Sequence, residues 1–223
     1  MAGATASAGT VNLDFQGSGL NQSVRIHDTS LGVSNLNVAA GQLKYKVLAG
    51  GTHPGFTVGS IIYTFCTDIS QGAADGYLTI VSLDQAPAPG AAMGLDRAAM
   101  ISLLYATKYA DSQTTAAKAA AFQLAVWEIV NEATIDFSQG TRGLAGLDAS
   151  SGDFRASTNA SAQTQANSYL DSAFTAFKDG LLGMNVVAGV SPTIQDQLFI
   201  IPLPTGAGLA CAGLLTVGAR RKR

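Results

Sequence analysis

The chain is poor in charge, since only 13% of its 223 residues are Asp, Glu, Lys or Arg, whereas 47% are hydrophobic and 25 are glycine. Its net charge is −2 and no basic stripe occurs outside the extreme C-terminus, which argues against nucleic-acid binding. It contains no phosphate-binding glycine loop, zinc-ligand spacing or Ser/His/Asp catalytic pattern, so we predict neither a metal nor a cofactor. The low charge favours an exported protein over a cytosolic enzyme.

Cysteine and histidine are also scarce, with two residues of each type. Cys211 lies in an apolar C-terminal segment that would enter a membrane, so we do not expect it to pair with Cys66, which would be a lone cysteine in an oxidising compartment. A cysteine hydrolase would need His27 or His53 as its base. His53 lies in a Gly- and Pro-rich turn, where a solvated histidine is the ordinary interpretation, and no thiol-protease signature surrounds Cys66.

No run of about 20 apolar residues, the length that spans a bilayer, occurs at the C-terminus. A shorter run, 207–219, follows a proline-flanked turn formed by Pro202, Leu203 and Pro204. Four basic residues then close the chain and would stop transfer on the cytoplasmic side: Arg220, Arg221, Lys222 and Arg223.

This arrangement in residues 201–223 resembles a bacterial C-terminal sorting signal of the PEP-CTERM type. The resemblance implies a short membrane helix, transient anchoring, and cleavage near the proline motif by an exosortase-type processing enzyme. An ordinary C-terminal anchor helix is the alternative. Both interpretations place the body of the protein outside the cytoplasm.

The first ten residues resemble the region around a signal-peptidase cut, with Ala4 and Ala6 as the small residues. They lack the charged start and the apolar core of a secretory signal. We therefore interpret residues 1–10 as the remnant of a signal peptide whose true start lies upstream.

Residues 11 to about 83 alternate between apolar and polar side chains, which predicts antiparallel strands separated by Gly, Asn, Asp and Pro turns. Helical periodicity then predicts three helices, at 96–109 with a cap at or near Asp96, at 114–132, and at 160–182. Residues 134–159 read as a long loop. Short β runs at 184–190 and 194–201 close the domain.

These elements predict an α+β fold for residues 11–200: an antiparallel β sandwich or barrel with an inserted helical subdomain, plus the C-terminal apolar sorting helix. The β subdomain is expected at about 11–86 and 184–200. The helical subdomain is expected at about 94–183.

Two short motifs carry the chemistry. In the first, Phe65 directly precedes Cys66 near the end of a predicted strand. In the second, Gln123 lies on an otherwise apolar helix, four residues before Trp127. A glutamine in such surroundings must find hydrogen-bond partners or react.

Together these motifs resemble the Cys–Gln thioester domains of bacterial surface adhesins, although the family more often has an aliphatic residue where Thr67 stands. The resemblance implies an internal thioester between Cys66 and Gln123, which captures an amine of a surface protein or matrix polymer. Capture happens once per molecule, so the protein would not be an enzyme in the usual sense.

Neighbouring residues are expected to support this chemistry. Asp68 would share a strand face with Cys66 and could carry protons. Glu128 could do so instead, although a solvated place on the helix surface is the interpretation we favour. Trp127, one turn from Gln123, would exclude water, and packing the helix on the sheet is its simpler role.

The sequence thus predicts an exported surface protein that adheres covalently. The alternative from another class is a passive structural protein of the extracellular matrix, which would share every feature except the bond. A cysteine hydrolase is the less favoured alternative.

Overall fold

The computed structural model describes residues 9–157 and 159–201. Nine strands and three α-helices make up this part of the chain. The strands are β1 Gly9–Asp28, β2 Val33–Leu48, β3 Ile61–Cys66, β4 Gly76–Ser82, β5 Pro87–Ala88, β6 Ala91–Ala92, β7 Phe154–Ala156, β8 Val186–Val190 and β9 Gln197–Ile200. The helices are α1 Gly94–Ser112, α2 Ala116–Asn131 and α3 Ala160–Lys178.

Seven strands form one sheet in the order β2-β3-β9-β8-β4-β1-β7, with antiparallel pairing throughout. β1 also pairs with β2, so six strands close into a ring and β7 extends one side of it. The strands β5 and β6 form a separate small hairpin. The α+β class and the large antiparallel sheet predicted from the alternating pattern are therefore confirmed.

β1 and β2 can follow the curve of the ring because their register shifts after Phe15 and again after Ser18. Gly41 lies at the second irregularity with a φ of +143°. A Cβ atom there would lie 2.3 Å from the carbonyl oxygen of Leu20, so the close approach of the two strands requires glycine.

Two apolar clusters stabilise the domain. The smaller one is built from alternate residues of the strands, including Leu13, Tyr45, Ile80 and Phe199. The larger one lies between the other side of the sheet and the three helices. The domain thus has a helical layer packed on the ringed sheet.

α2 is the central helix of that layer and contacts β1, β2, β3, α1 and α3. The side chain of Thr115 accepts a hydrogen bond from the N–H of Lys118, so Thr115 is the N-cap of α2. Every residue from 119 to 131 is buried. Three consecutive alanines, 119–121, give the helix a slim surface that lets its neighbours approach closely.

Several boundaries differ from the sequence predictions. The alternating runs near 11–15 and 24–26 belong to one 20-residue strand, β1, rather than to two. α1 begins two residues before Asp96, its N-cap is Met93 without a side-chain hydrogen bond, and the predicted Asp96 cap is wrong. The segment read as a long loop contains β7, and α3 ends at Lys178 rather than at 182.

Candidate functional site

Cys66 is the last residue of β3, where Phe65 and Cys66 pair with Leu198 and Gln197 of β9. Its side chain is buried, with 4% of its surface exposed, and its thiol is free. The following backbone leaves the strand, although the N–H of Thr67 still donates to the carbonyl of Asp196. Cys66 therefore sits where a central strand ends beneath the helical layer.

Gln123 lies in the middle of α2 and is completely buried. Its side chain is directed at Cys66, 57 residues earlier in the chain. The backbone N–H of Cys66 donates to Gln123 Oε1 over 3.1 Å, and Gln123 Nε2 donates to the carbonyl oxygen of Cys66 over 2.7 Å. Cys66 Sγ lies 3.6 Å from the same Oε1.

This reciprocal pair fixes the orientation of the amide. A flipped amide would set its NH₂ against the N–H of Cys66 and its oxygen against the carbonyl, so both contacts would become repulsive. The carboxamide carbonyl therefore points at a backbone N–H donor while the thiol lies beside it. A donor in this position stabilises negative charge that develops on the carbonyl oxygen when a nucleophile attacks it.

Phe65 and Phe122, the residues that precede Cys66 and Gln123, pack against each other with ring centroids 4.5 Å apart. Tyr105 from α1 packs edge-on against both rings. This aromatic cluster aligns β3 with α2, so that the next residue of each element meets its counterpart. The sequence motifs indicated Phe65 as a supporting residue but not Phe122 or Tyr105. The available indications for these two were their aromatic side chains and their helical spacing.

Burial raises the pKa of the Cys66 thiol to about 12. The indole of Trp127 lowers this pKa and the negative charge of Asp68 raises it, but burial dominates. Trp127 Nε1 has no hydrogen-bond partner among the described residues, so this buried donor is free to stabilise charge on the sulfur. Cys66 is therefore a protonated thiol at neutral pH, with one buried N–H donor nearby.

A pocket of about 350 Å³ reaches this site from the surface; we name it the thiol pocket. Cys66 and Trp127 line it together with Phe15, Ile69 and Gln71. Its lining contains no charged side chain among the described residues. The pocket can admit a slender, uncharged chemical group to Cys66.

Two of the predicted supporting residues have other surroundings than expected. Asp68 does not share a strand face with Cys66, because β3 ends at Cys66 and the Asp68 carboxylate accepts hydrogen bonds from Ser70 N–H and Oγ. Glu128 is fully buried rather than solvated. Its Oε1 accepts the N–H of Asp148, so it binds the loop after α2 and not the thiol.

The two histidines have local partners. His53 is buried, not solvated as expected: its Nδ1 accepts the N–H of Gly55, and its ring packs against Phe56. His27 Nδ1 accepts the N–H of Asn35. Burial lowers the pKa of His53. Within residues 9–157 and 159–201, the side chain that hydrogen-bonds with Cys66 is Gln123, and no histidine does so.

The predicted cleavage remnant at the N-terminus, the proline motif from Pro202 to Pro204, the apolar helix and the basic cluster from Arg220 to Arg223 fall outside the described residues, apart from the first residues of β1. Among the residues that the structure does describe, no helix has the length and apolar character needed to span a membrane. The chain matches no protein-family model, no curated protein and no solved structure.

Proposed function

We propose that Cys66 and Gln123 condense to an internal thioester, and that the protein is an exported bacterial surface protein that uses this bond to attach covalently to an amine. The observation that carries the proposal is the contact between the thiol and an amide carbonyl that is already hydrogen-bonded to the N–H of Cys66. Hydrogen-bond partners alone would satisfy a buried glutamine. The thiol beside the carbonyl adds a nucleophile next to an electrophilic carbon.

The condensation balances without a further reactant. Cys66 Sγ bonds to the side-chain carbonyl carbon of Gln123, the carbon–Nε2 bond breaks, and the thiol proton leaves with the nitrogen as ammonia. The N–H of Cys66 stabilises the tetrahedral oxyanion. Trp127 Nε1 stabilises charge on the sulfur while the proton is transferred.

Capture reverses the roles of the groups. An amine entering the thiol pocket attacks the thioester carbonyl, an amide to Gln123 forms, and Cys66 leaves as a thiol. The uncharged lining of the pocket favours the neutral, nucleophilic form of the amine over the ammonium ion, which it cannot solvate. Burial beneath Trp127 limits hydrolysis of the thioester by water.

A labelled primary amine tests this proposal, with Cys66→Ala as the matched control. Alanine retains the backbone N–H and carbonyl that hold Gln123 but cannot form the thioester. We expect the wild-type protein to incorporate the amine at Gln123 and to release a thiol that alkylates only afterwards. Incorporation that is equal in Cys66→Ala, or absent from both proteins, would refute covalent capture.

A passive matrix protein is the second candidate, and the high pKa of Cys66 favours it. A thiol whose pKa is about 12 is a poor nucleophile, as expected of a cysteine that only fills a core. This candidate predicts no amine incorporation and a thiol that alkylates only on unfolding. A cysteine hydrolase would instead lose an enzymatic activity on alkylation, and neither histidine hydrogen-bonds with Cys66 in the described structure.

Export and sorting form a separate part of the proposal, supported by the composition and by the C-terminal pattern. We expect replacement of Pro202, Leu203 and Pro204 by alanine to block processing by the exosortase-type enzyme and to leave the full-length protein with the membrane fraction. Cell fractionation and the mass of the C-terminal peptide measure this. Normal processing of the variant would contradict the proposed motif.

A further inference from the structure

Directly after Cys66, the chain forms one wall of a second pocket, of about 270 Å³. We name it the acidic pocket and define its polar part as Thr67, Asp68, Gln71, Asn131 and Asp196. It lies between the loop after β3, the β5–β6 hairpin, the end of α2 and the β8–β9 loop. Gln71 lines this pocket and the thiol pocket, so the two are neighbours.

Two carboxylates give the acidic pocket its charge. Asp196 is 95% buried, since only 5% of its surface is exposed, and it accepts the N–H of Ser191 over 2.8 Å. Burial raises the pKa of Asp196 to about 6, and the negative charge of Asp68 adds to this rise. Asp196 is therefore mostly ionised at pH 7.5, and its carboxylate lies close enough to Asp68 to be affected by that charge.

The described lining contains no lysine, arginine or histidine to balance this charge. The ion pairs of the described residues join Lys118 to Asp111 and Arg142 to Asp171, and neither pocket carboxylate takes part in them. Arg97 of α1 donates instead to two carbonyl oxygens at the end of α2, those of Val130 and Glu132. A buried carboxylate without a cation is costly, so this pocket favours a positively charged ligand.

A second, independent observation concerns Thr67. This residue is 98% buried, with 2% of its surface exposed, and its Oγ1 has no hydrogen-bond partner among the described residues. Gln71 Oε1 is likewise buried and unpartnered. Buried polar atoms normally have partners, so an unpartnered hydroxyl and an unpartnered amide oxygen in the lining of one acidic pocket indicate a polar partner supplied from outside. An N–H donor can bind to either oxygen.

The ligand is an organic cation rather than a metal ion. The described residues contain no group of three or more His, Cys, Asp or Glu side chains that could hold a metal. The lining also has an apolar part, the proline wall, formed by Pro87, Pro89 and Val130, which suits an alkyl stem. Lysine and arginine combine such a stem with several N–H donors at the charged end.

We infer that the acidic pocket binds a basic side chain of a polypeptide, with its cationic head between Asp68 and Asp196 and its stem against the proline wall. The pocket itself does not require the thioester. Its role rests on the proposed function: a partner held here by one basic residue presents a neighbouring lysine to the thiol pocket. The partner is therefore a polypeptide with closely spaced basic residues.

Binding can be measured with Nα-acetyl-arginine methylamide, because a guanidinium stays protonated and cannot open a thioester. We expect saturable binding in an NMR titration at pH 7.5, and none of the neutral norleucine analogue. Asp68→Asn and Asp196→Asn keep the acceptors for Ser70 and Ser191, and each should weaken binding about tenfold. Asp179→Asn, an exposed residue beyond α3 that lines neither pocket, should leave it unchanged.

Absence of saturable binding, or binding that both pocket variants leave unchanged, would overturn the inference. A second arm compares the capture rates of two peptides that each contain one lysine, flanked by arginine or by norleucine. The arginine peptide should react about tenfold faster, and Asp68→Asn should remove this advantage. If the protein forms no thioester, neither peptide reacts; the proposed function then fails while the arginine titration still decides the inference.

Discussion

At the scale of single residues, Gln123 completes the hydrogen bonding of Cys66. The N–H and the carbonyl of Cys66 lie at a strand end beneath a helix, and the Gln123 amide satisfies both. An unpaired buried backbone group costs about 1–3 kcal/mol, so the amide has a structural role whether or not it reacts. This structural role explains how a polar residue persists among the apolar side chains that flank it on α2.

Gln123→Leu, made in the Cys66→Ala background so that no thioester can contribute, tests the structural role. We expect the free energy of unfolding to fall by about 2–4 kcal/mol, because two backbone groups lose their partners. Urea unfolding of the single and the double variant measures the difference. A change within about 0.5 kcal/mol would mean that water or a local rearrangement replaces the amide.

At the scale of elements, the aromatic cluster of Phe65, Phe122 and Tyr105 sets the register between β3 and α2. Phe65→Leu removes ring contacts while retaining apolar volume. We expect it to lower the free energy of unfolding by about 1–2 kcal/mol and to reduce the fraction of molecules that contain a thioester.

Phe137→Leu is the matched control, because Phe137 packs on Phe177 of α3 and not on β3. It should lower the free energy of unfolding, which denaturant unfolding measures. It should leave the thioester fraction unchanged, which amine labelling measures. If both variants reduce the fraction equally, general stability rather than register governs the reaction.

The end of α2 is joined to the following loop by two buried glutamates. Glu128 Oε1 accepts the N–H of Asp148, and Glu132 Oε2 accepts the N–H of Asp153. Burial raises the pKa of both carboxyl groups, and Glu128 Oε2 has no partner among the described residues. The Glu128 carboxyl group therefore holds its proton to a higher pH in the folded protein than in the unfolded chain.

A raised folded-state pKa means that the native protein holds this proton more tightly than the unfolded chain does. The resulting stability is complete below the unfolded pKa of about 4.3 and is lost as the pH rises through the folded pKa. Glu128→Gln mimics the protonated acid, so its unfolding free energy should decline less than that of the wild type as the pH rises above about 5. Urea unfolding at a series of pH values from about 5 upward measures this difference, with Asp179→Asn as the control. Parallel profiles for Glu128→Gln and the wild type would refute the raised pKa of Glu128.

The sequence predicted the strands and helices better than it predicted how they pack and which side chains they bury. The alternation of residues 11–83 identified the antiparallel strands, and helical periodicity placed α2 to within about two residues of its observed bounds. The closure of the sheet by β1 and β2 was not predictable, because it depends on two register shifts and on Gly41. Glu128 was misplaced because a glutamate on a helix normally faces water, whereas α2 is covered on all sides by the sheet, α1 and α3.

The candidate site was predictable only in its motif residues. Two short motifs indicated Cys66 and Gln123, and the structure brings them into contact. The hydrogen bonds that orient the amide come from the backbone of Cys66, and a backbone group leaves no trace in the sequence. The acidic pocket was likewise hidden, since Asp68 and Asp196 are 128 positions apart in the chain.

At the scale of the whole molecule, a thioester would tie the ringed sheet to the helical layer across a separation of 57 residues. By analogy with a disulfide that closes a loop of this length, the bond would stabilise the fold by about 4 kcal/mol, chiefly by restricting the unfolded chain. Methylamine should open the bond and lower the free energy of unfolding by up to about this amount. Cys66→Ala should show no response to methylamine; an equal response would mean that the amine acts elsewhere.

The intact mass of the purified protein, measured under denaturing conditions and combined with peptide mapping, tests the central claim most directly. We predict a mass lower by one ammonia than that of the processed polypeptide, with the deficit carried by a peptide pair that joins Cys66 to Gln123. A full mass, together with a Cys66 thiol that alkylates stoichiometrically on unfolding, would contradict the account.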